Sequence, residues 1–321
     1  MCKNLVLIAV LIITIGATSL VGQPIENPKV KRPLKVGYSV PIKAITKEKM
    51  QYAKSVGIDY IEIGGLESLI DHHLNFLDND EDIIDLFRHI KSVLDETGIR
   101  VWSIHMPGNA YTDISLFDEN RRIVAVNMHL KLLGFLEIFE PEILLFHASH
   151  FVAPDQREFR KTQALKSAIT LNEKVKQIRG TMVIENGGGN TTVEEGVVLS
   201  VMPRSIAEML EFMSKLPKSI GVAVDMNHIA EPHKLIIALG DRLKSVHIND
   251  GNGERCYHYF PCSGEGENDW NKILAALDII NYNGVFMYES KYDDEKDLIE
   301  CYIHLYNQYK ASDLTLLRKN L

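Results

Sequence analysis

Thr181-Met-Val-Ile-Glu185, Gly221-Val-Ala-Val-Asp225, Leu243-Lys-Ser-Val-His247 and Gly284-Val-Phe-Met-Tyr-Glu289 are four short apolar runs, each stopping at a residue able to bind a metal ion. In a parallel sheet all carboxyl ends of the strands lie along one edge, so four such residues can converge on one point. Three carboxylates and an imidazole suit a divalent cation, and water or substrate would complete its shell. One apolar run ending in an acid means little. Four in succession, separated by helix-length spacers, are hard to obtain by chance.

Working back from Glu185, four further runs appear: Leu34–Val40, Tyr60–Gly64, Val101–Met106 and Ile143–His147. Apolar residues at helical spacing fill the intervals. Examples are Ile83-Ile84-Leu86-Phe87-Ile90-Val93-Leu94, Ile123-Val126-Leu130-Leu133 and Leu165-Ile169-Val175. Near-continuous apolar strands alternating with amphipathic helices imply a parallel sheet covered by helices. Eight units fit a (β/α)8 barrel, which typically needs about 250 residues and carries its active site at the carboxyl ends of its strands. An open doubly wound sheet is the other candidate, but it would carry a Gly-rich phosphate loop after its first strand. Gly37-Tyr-Ser-Val-Pro41 is not one. Gly187-Gly-Gly189 opens a loop without a helix before about Pro203 and reads as backbone freedom beside the site, or simply as a long loop.

The chain has 321 residues, 45% hydrophobic and 24% charged, with a formal net charge of −8. Lys and Arg are scattered without a basic stripe, which argues against a nucleic-acid partner. Residues 1–22 stand apart: a positive start at Met1-Cys-Lys3, an unbroken apolar run Leu5–Ile15, then small residues at Ala17-Thr-Ser19. This is the pattern of a secretory signal peptide. It predicts cleavage between Ser19 and Gln23, export to the periplasm or exterior, and no stable membrane association afterwards, an uncleaved anchor being the alternative. Residues 23–33 then form an extension, and 34–321 a single barrel domain with a C-terminal helix. Oligomeric state is open, a homo-oligomer included. In an oxidising compartment Cys256 and Cys262 could close a small disulfide loop around Tyr257–Pro261, with free thiols the alternative. Cys301, within an amphipathic terminal stretch, reads as a small buried hydrophobe.

Each site residue has a functional and a plain reading. Glu185 and Glu289 read as ligands and as an acid/base pair, the alternative being structural salt bridges. Asp225 reads as a ligand, and His228, three residues on, as a substrate contact or further ligand. A lone His on an apolar strand, such as His247, is usually a satisfied core residue; its place between the strands of Asp225 and Glu289 favours ligation. His105 and His147 close strands and point at the same cavity, for substrate or a second metal. Glu62, in Tyr60-Ile-Glu-Ile-Gly64, belongs at the barrel mouth as a substrate contact, with an ion pair equally compatible.

Taken in order, Ile-His-Met-Pro at His105, Phe-His-Ala-Ser at His147, Val-Ile-Glu-Asn at Glu185 and Val-Asp-Met-Asn-His at 224–228 form a recognisable set. Val-His-Ile-Asn-Asp at 246–250, Gly264-Glu-Gly266 with Asp269-Trp270, and Tyr-Glu-Ser at Glu289 complete it. Over residues 34–310 the chain resembles the xylose isomerase-like TIM barrels, which group sugar-phosphate isomerases and epimerases with type-IV apurinic endonucleases. The resemblance implies one divalent ion (manganese, magnesium, cobalt or zinc) on Glu185, Asp225, His247 and Glu289. It implies proton transfer by the two glutamates through a metal-stabilised enediolate, and substrate contact by His228. In the endonucleases the matches of His105 and His147 hold a second zinc, and a third requires an Asp-x-His before the Gly-Glu-Gly segment. Here that Asp is missing and His258 falls out of register, so a trinuclear site is not expected. Arg255, the nearest match to an Arg of ketose epimerases, is displaced. For an exported enzyme the expected substrate is a free sugar, keto-sugar or modified glycoside. A metal-dependent lyase or hydrolase of a keto-glycoside would use the same residues, and a non-catalytic sugar-binding barrel would need none of the proton chemistry.

Overall fold

The computed structural model describes residues 33–189, 191–194, 196–319 and 321; the expected signal peptide and all but the last residue of the extension lie outside them. Eight parallel strands close into a barrel: β1 (Lys35–Pro41), β2 (Tyr60–Gly64), β3 (Arg100–His105), β4 (Ile143–His147), β5 (Thr181–Glu185), β8 (Gly221–Asp225), β9 (Leu243–Ile248) and β10 (Val285–Tyr288). They pair in chain order, and β1 closes on β10. Between β5 and β8 the chain inserts an antiparallel hairpin, β6 (Thr191–Glu194) and β7 (Val197–Ser200), where a plain loop was expected.

The helices form the outer ring. They are α1 (Lys47–Ser55), α2 (Asp80–Thr97), α3 (Glu119–Leu136), α4 (Arg157–Gln177), α5 (Ile206–Ser214), α6 (Pro232–Leu239), α7 (Trp270–Ile279), α8 (Glu295–Ala311) and α9 (Leu314–Lys319). Their starts follow from local chemistry. Thr46, Asn79, Asp118, Ser205, Asp269 and Asp294 each accept a hydrogen bond from a first-turn backbone N–H, the role of a helix N-cap. Gly98 ends α2 in the left-handed region, at φ 69°.

Strand side chains alternate between the barrel interior and the helix layer. The outward set joins the helices in one large core that includes Ile61, Ile104, Phe146, Ile184, Val222, Val246 and Phe286. The inward set is a small plug of Ile143, Leu145, Val183 and Ala223 with Trp102 against it. That plug floors the cavity at the carboxyl end of the strands. Among the described residues no helix is long and apolar enough to cross a membrane.

One sulfur pairing differs from the reading of the sequence. Cys262 is bonded to Cys301, with Cα atoms 5.8 Å apart, and Cys256 keeps its thiol. Cys301 is therefore not a plain core hydrophobe. The bond ties the loop after β9 to α8, a connection that sequence spacing cannot reveal because the partners become neighbours only when the barrel closes.

Candidate active site

Register brings the ligand types together. Asp225 pairs with His247 across β8 and β9, and His147 with Glu185 across β4 and β5. Glu185 pairs with Ala223, so Asp225, two residues on, shares its inward face one step higher. Glu289 bears the same relation to Met287, which pairs with His247. One ligand atom from each of Glu185, Asp225, His247 and Glu289 lies within 4.8 Å of the others. The four residues predicted to converge do converge.

Their surroundings suit a cation. Every ion pair made by these carboxylates among the described residues is with a histidine, none with Lys or Arg. Buried carboxylates without a permanent positive partner are costly. His247 takes up part of that charge. Its Nδ1 lies 2.7 Å from Glu185 Oε1 and 3.0 Å from Glu289 Oε2. One N–H cannot point squarely at both oxygens, whereas a divalent ion set among the three atoms could engage all of them. Burial alone would lower the His247 pKa; Glu62, Glu289 and Glu185 raise it well above the ordinary histidine value. Burial likewise opposes ionisation of Glu185 and Glu289, but His247 beside them holds both below the usual carboxylate range. Asp225 goes the other way, its carboxyl pushed up by burial. It accepts hydrogen bonds from the backbone N–H of Asn227 and His228 and from Asn249 Nδ2, which aim it.

Glu62 is not at the mouth. It is fully buried, and its Oε2 accepts from Ser103 Oγ at 2.7 Å and meets His247 Nε2 at 3.0 Å. A carboxylate on the far nitrogen of a ligating imidazole fixes its tautomer and leaves the near nitrogen free for a metal. The inward alternation of β2 placed Glu62 correctly in the barrel. Its depth was misjudged because it is only the third residue of β2, well short of the strand's end.

The cavity above has a volume of about 370 Å³. His105, His147, His228, Glu185 and Glu289 line it, so the three histidines meet at the mouth as expected. His147 Nε2 is 2.8 Å from Glu185 Oε2 and 3.2 Å from His105 Nε2. Burial lowers the His147 pKa, but the hydrogen bond to Glu185 and the charges of Glu185 and Glu289 together outweigh it and the net shift is upward. His105, His147 and Glu185 also form a compact group of ligand types. Glycines give this wall its shape. A Cβ on Gly188 would stand 2.7 Å from Cys256 Sγ, and one on Gly189 2.0 Å from the Gly253 carbonyl oxygen. Close approach of the next loop, rather than backbone freedom, accounts for the glycine run.

Several participants carried no signal in the sequence. Asn249 touches both Asp225 and the Glu289 carbonyl. Asn186 accepts from the Asp225 backbone N–H. Cys256 and His258 also line the cavity. His258, judged out of register, is brought to the wall by a left-handed backbone at φ 50°. Asp250 and Trp270 have a structural part: Asp250 accepts from Trp270 Nε1 and from the Asn268 and Gly251 backbone N–H. A Cβ on Gly266 would strike that carboxylate at 2.0 Å, so the Gly264-Glu-Gly266 segment closes a loop around Asp250. A second cleft, of about 380 Å³, opens at the amino-terminal ends of the strands among Leu34, Leu274, Leu277 and several tyrosines. It lacks a converging set of acids and imidazoles, and in such barrels that face serves stability.

These features can be set beside known proteins. No curated protein matches the chain by sequence. Solved structures share its fold at low identity. The 3-keto-D-glucoside 4-epimerase of E. coli superposes with a TM-score of 0.62 at 17% identity, covering 87% of this chain and 100% of that one. D-psicose 3-epimerase of Clostridium cellulolyticum H10, solved with D-tagatose, gives 0.62 at 17%, covering 88% and 95%. An L-ribulose 3-epimerase gives 0.64 at 17%, covering 89% and 96%. The family model described as "Xylose isomerase-like TIM barrel" matches residues 50–308, a span reaching from α1 into α8. With the closed eight-stranded barrel and its ring of acids and histidines, that match places the chain in the xylose isomerase-like TIM barrel family.

Proposed function

We propose that this protein is a divalent-metal-dependent sugar isomerase or epimerase that moves a proton at the carbon beside a sugar carbonyl. The observation that carries the reading is the convergence of Glu185, Asp225, His247 and Glu289 at the open end of the barrel. Three oxygen donors and one nitrogen fit a hard or borderline ion such as manganese, magnesium, cobalt or zinc. When bound, the ion would supply Lewis-acid polarisation of the substrate carbonyl. Glu185, Asp225, His247 and Glu289 would hold it, and Glu62 would keep the imidazole in register through Nε2.

Glu185 and Glu289 are the proton carriers. Both are held ionised by His247, so both are acceptors near neutral pH. One takes the proton from carbon and an enediolate follows; a protonated glutamate then returns it. Return to the same carbon from the opposite side, by the second glutamate once it has taken up a proton from water, inverts it; return by the first glutamate to the neighbouring carbon interchanges aldose and ketose. A carboxylate of such low proton affinity is a weak base by itself, so it works only where the carbon acid is also acidified. His105, His147 and His228, which line the cavity, would bind the sugar's hydroxyls.

The named neighbours are epimerases of D-psicose, of L-ribulose and of a 3-keto-D-glucoside, and sugars of these classes would suit a cavity of this volume lined by carboxylates and imidazoles. The test is incubation of metal-loaded enzyme in deuterium oxide with a panel of ketoses and 3-keto-glycosides. Deuterium at the carbon next to the carbonyl, with an epimer or isomer formed, is expected. Release of the aglycone instead would transfer the site to a lyase or hydrolase, and binding without exchange would mark a sugar-binding barrel. We further infer that the protein works outside the cytoplasm, since the Cys262–Cys301 bond suits an oxidising compartment. Amino-terminal sequencing of the mature protein from its host should read from between Ser19 and Gln23.

A further inference from the structure

Beside the acid-rich centre, on the other wall of the cavity, stand His228, Cys256 and His258. They offer two imidazole nitrogens and a sulfur, all within 4.8 Å of one another. His228 comes from the turn after β8, and the other two from the loop after β9. We propose that these three side chains form a second, thiolate-containing cation site, with zinc as its natural class of occupant.

The arrangement of the two rings carries the inference. His228 Nδ1 lies 3.0 Å from the Asn186 carbonyl oxygen, and His258 Nδ1 lies 2.8 Å from that of Glu289. A carbonyl only accepts, so each Nδ1 carries the hydrogen. That leaves Nε2 on each ring as the atom a metal would engage. The rings are 5.7 Å apart and steeply inclined, at 76°, so they approach a shared point from different directions. His258 holds this position at a positive φ, a conformation that side-chain-bearing residues adopt at a cost and that clusters at functional sites. Gly188 leaves the space that Cys256 Sγ and the His228 ring occupy.

Soft thiolate and imidazole select zinc over magnesium or manganese, unlike the oxygen-rich centre next door. Three protein ligands with a fourth position open toward a cavity is the pattern of a zinc site that takes up water or a substrate oxygen. The same Glu289 that supplies its side chain to the first centre holds His258 through its main chain, so one residue links the two sites. The second would bind a sugar oxygen beyond those engaged at the first. The site does not depend on which reaction the first centre runs.

Cobalt(II) titration of the full-length, metal-stripped protein under anaerobic conditions, with the Cys262–Cys301 bond intact, tests this. The expected result is a thiolate-to-cobalt charge-transfer band in the near ultraviolet. It should be absent in Cys256→Ser and retained in Glu62→Gln, whose partners Ser103 and His247 lie on the acid-rich side. Zinc content should fall by one ion per chain in Cys256→Ser. No such band in the unmutated protein at saturating cobalt would overturn the proposal, and this readout needs no variant to fold. A band that persists in Cys256→Ser would overturn it equally, by assigning the sulfur elsewhere.

Discussion

His247 stands at the centre of the site, and its neighbours define what single substitutions should do. Its two nitrogens face Glu62 on one side and the Glu185–Glu289 pair on the other. Glu62→Gln keeps the shape but weakens the acceptor for Nε2–H. A loss of metal affinity of about 10- to 100-fold is expected, as for other carboxylates behind a ligating histidine. Competition with a chelating dye would measure it, and unchanged affinity would reduce Glu62 to packing. Glu185→Gln and Glu289→Gln should each slow proton exchange by about 10²–10⁴-fold at fixed metal occupancy, the usual worth of a general base. If either fully loaded variant still exchanges substrate deuterium near the parent rate, that glutamate is a ligand alone and the two-base scheme fails. Most of these residues are legible in the sequence because each follows an apolar run. Asn249, Cys256 and His258 are not, because side-chain direction in irregular loops is set by tertiary contacts rather than by a period.

At the level of elements, strand ends were read within a residue or two because a buried parallel strand has apolar neighbours on both faces. Helix faces were harder. In α3 and α4 the expected stripes included Ile123 and Ile169, yet both are exposed at 43%. The buried side instead carries polar groups: Arg122 donates to Ser167 Oγ, and Arg160 binds Asp113 and Ser115. A hydrophobic count cannot see a face closed by hydrogen bonds. His129, on α3, belongs to that face. It is fully buried, and its Nε2 donates to the Thr112 carbonyl at 2.8 Å. Burial pushes its pKa down to about 4. Between about pH 4 and the unfolded value near 6.5 the unfolded chain binds the extra proton. Stability is therefore full above that window and falls as pH drops through it, by on the order of 3 kcal/mol. Denaturant titrations at pH 7 and pH 4.5 should show a fall that His129→Phe reduces; an equal fall in the variant would assign it to other groups. The β6–β7 hairpin is the other unread element. Arg157, at the start of α4, anchors its base: Nη1 donates to Ser200 Oγ and Nη2 to the Val201 carbonyl, while Glu208 pairs with the guanidinium. Arg157→Ala should raise KM for substrate more than it lowers kcat and open residues 187–202 to protease, since Gly187, Gly188 and Val201 line the cavity.

At the scale of the whole molecule a covalent bond joins α8 to the active-site side of the barrel. The Cys262–Cys301 link closes a segment of 39 residues. Chain-entropy arguments give such a loop about 3–4 kcal/mol of stabilisation. Cys262→Ala with Cys301→Ala should lower the unfolding free energy by about 2–4 kcal/mol while leaving the acid-rich centre able to bind metal. A stable, unchanged double variant would show the bond to be dispensable. The pairing also sets a choice for the newly made chain. Cys256 lies six positions before Cys262 and is much nearer along the chain than Cys301, so early oxidation favours the short Cys256–Cys262 ring. That isomer would leave Cys301 unpaired and pull Cys256 from its place beside His228 and His258. Correct maturation is then a contest between a fast wrong partner and a slow right one, decided by when α8 docks. A cation held on Cys256 would remove the wrong partner from the contest, and zinc supplied during oxidative refolding should raise the yield of the Cys262–Cys301 form.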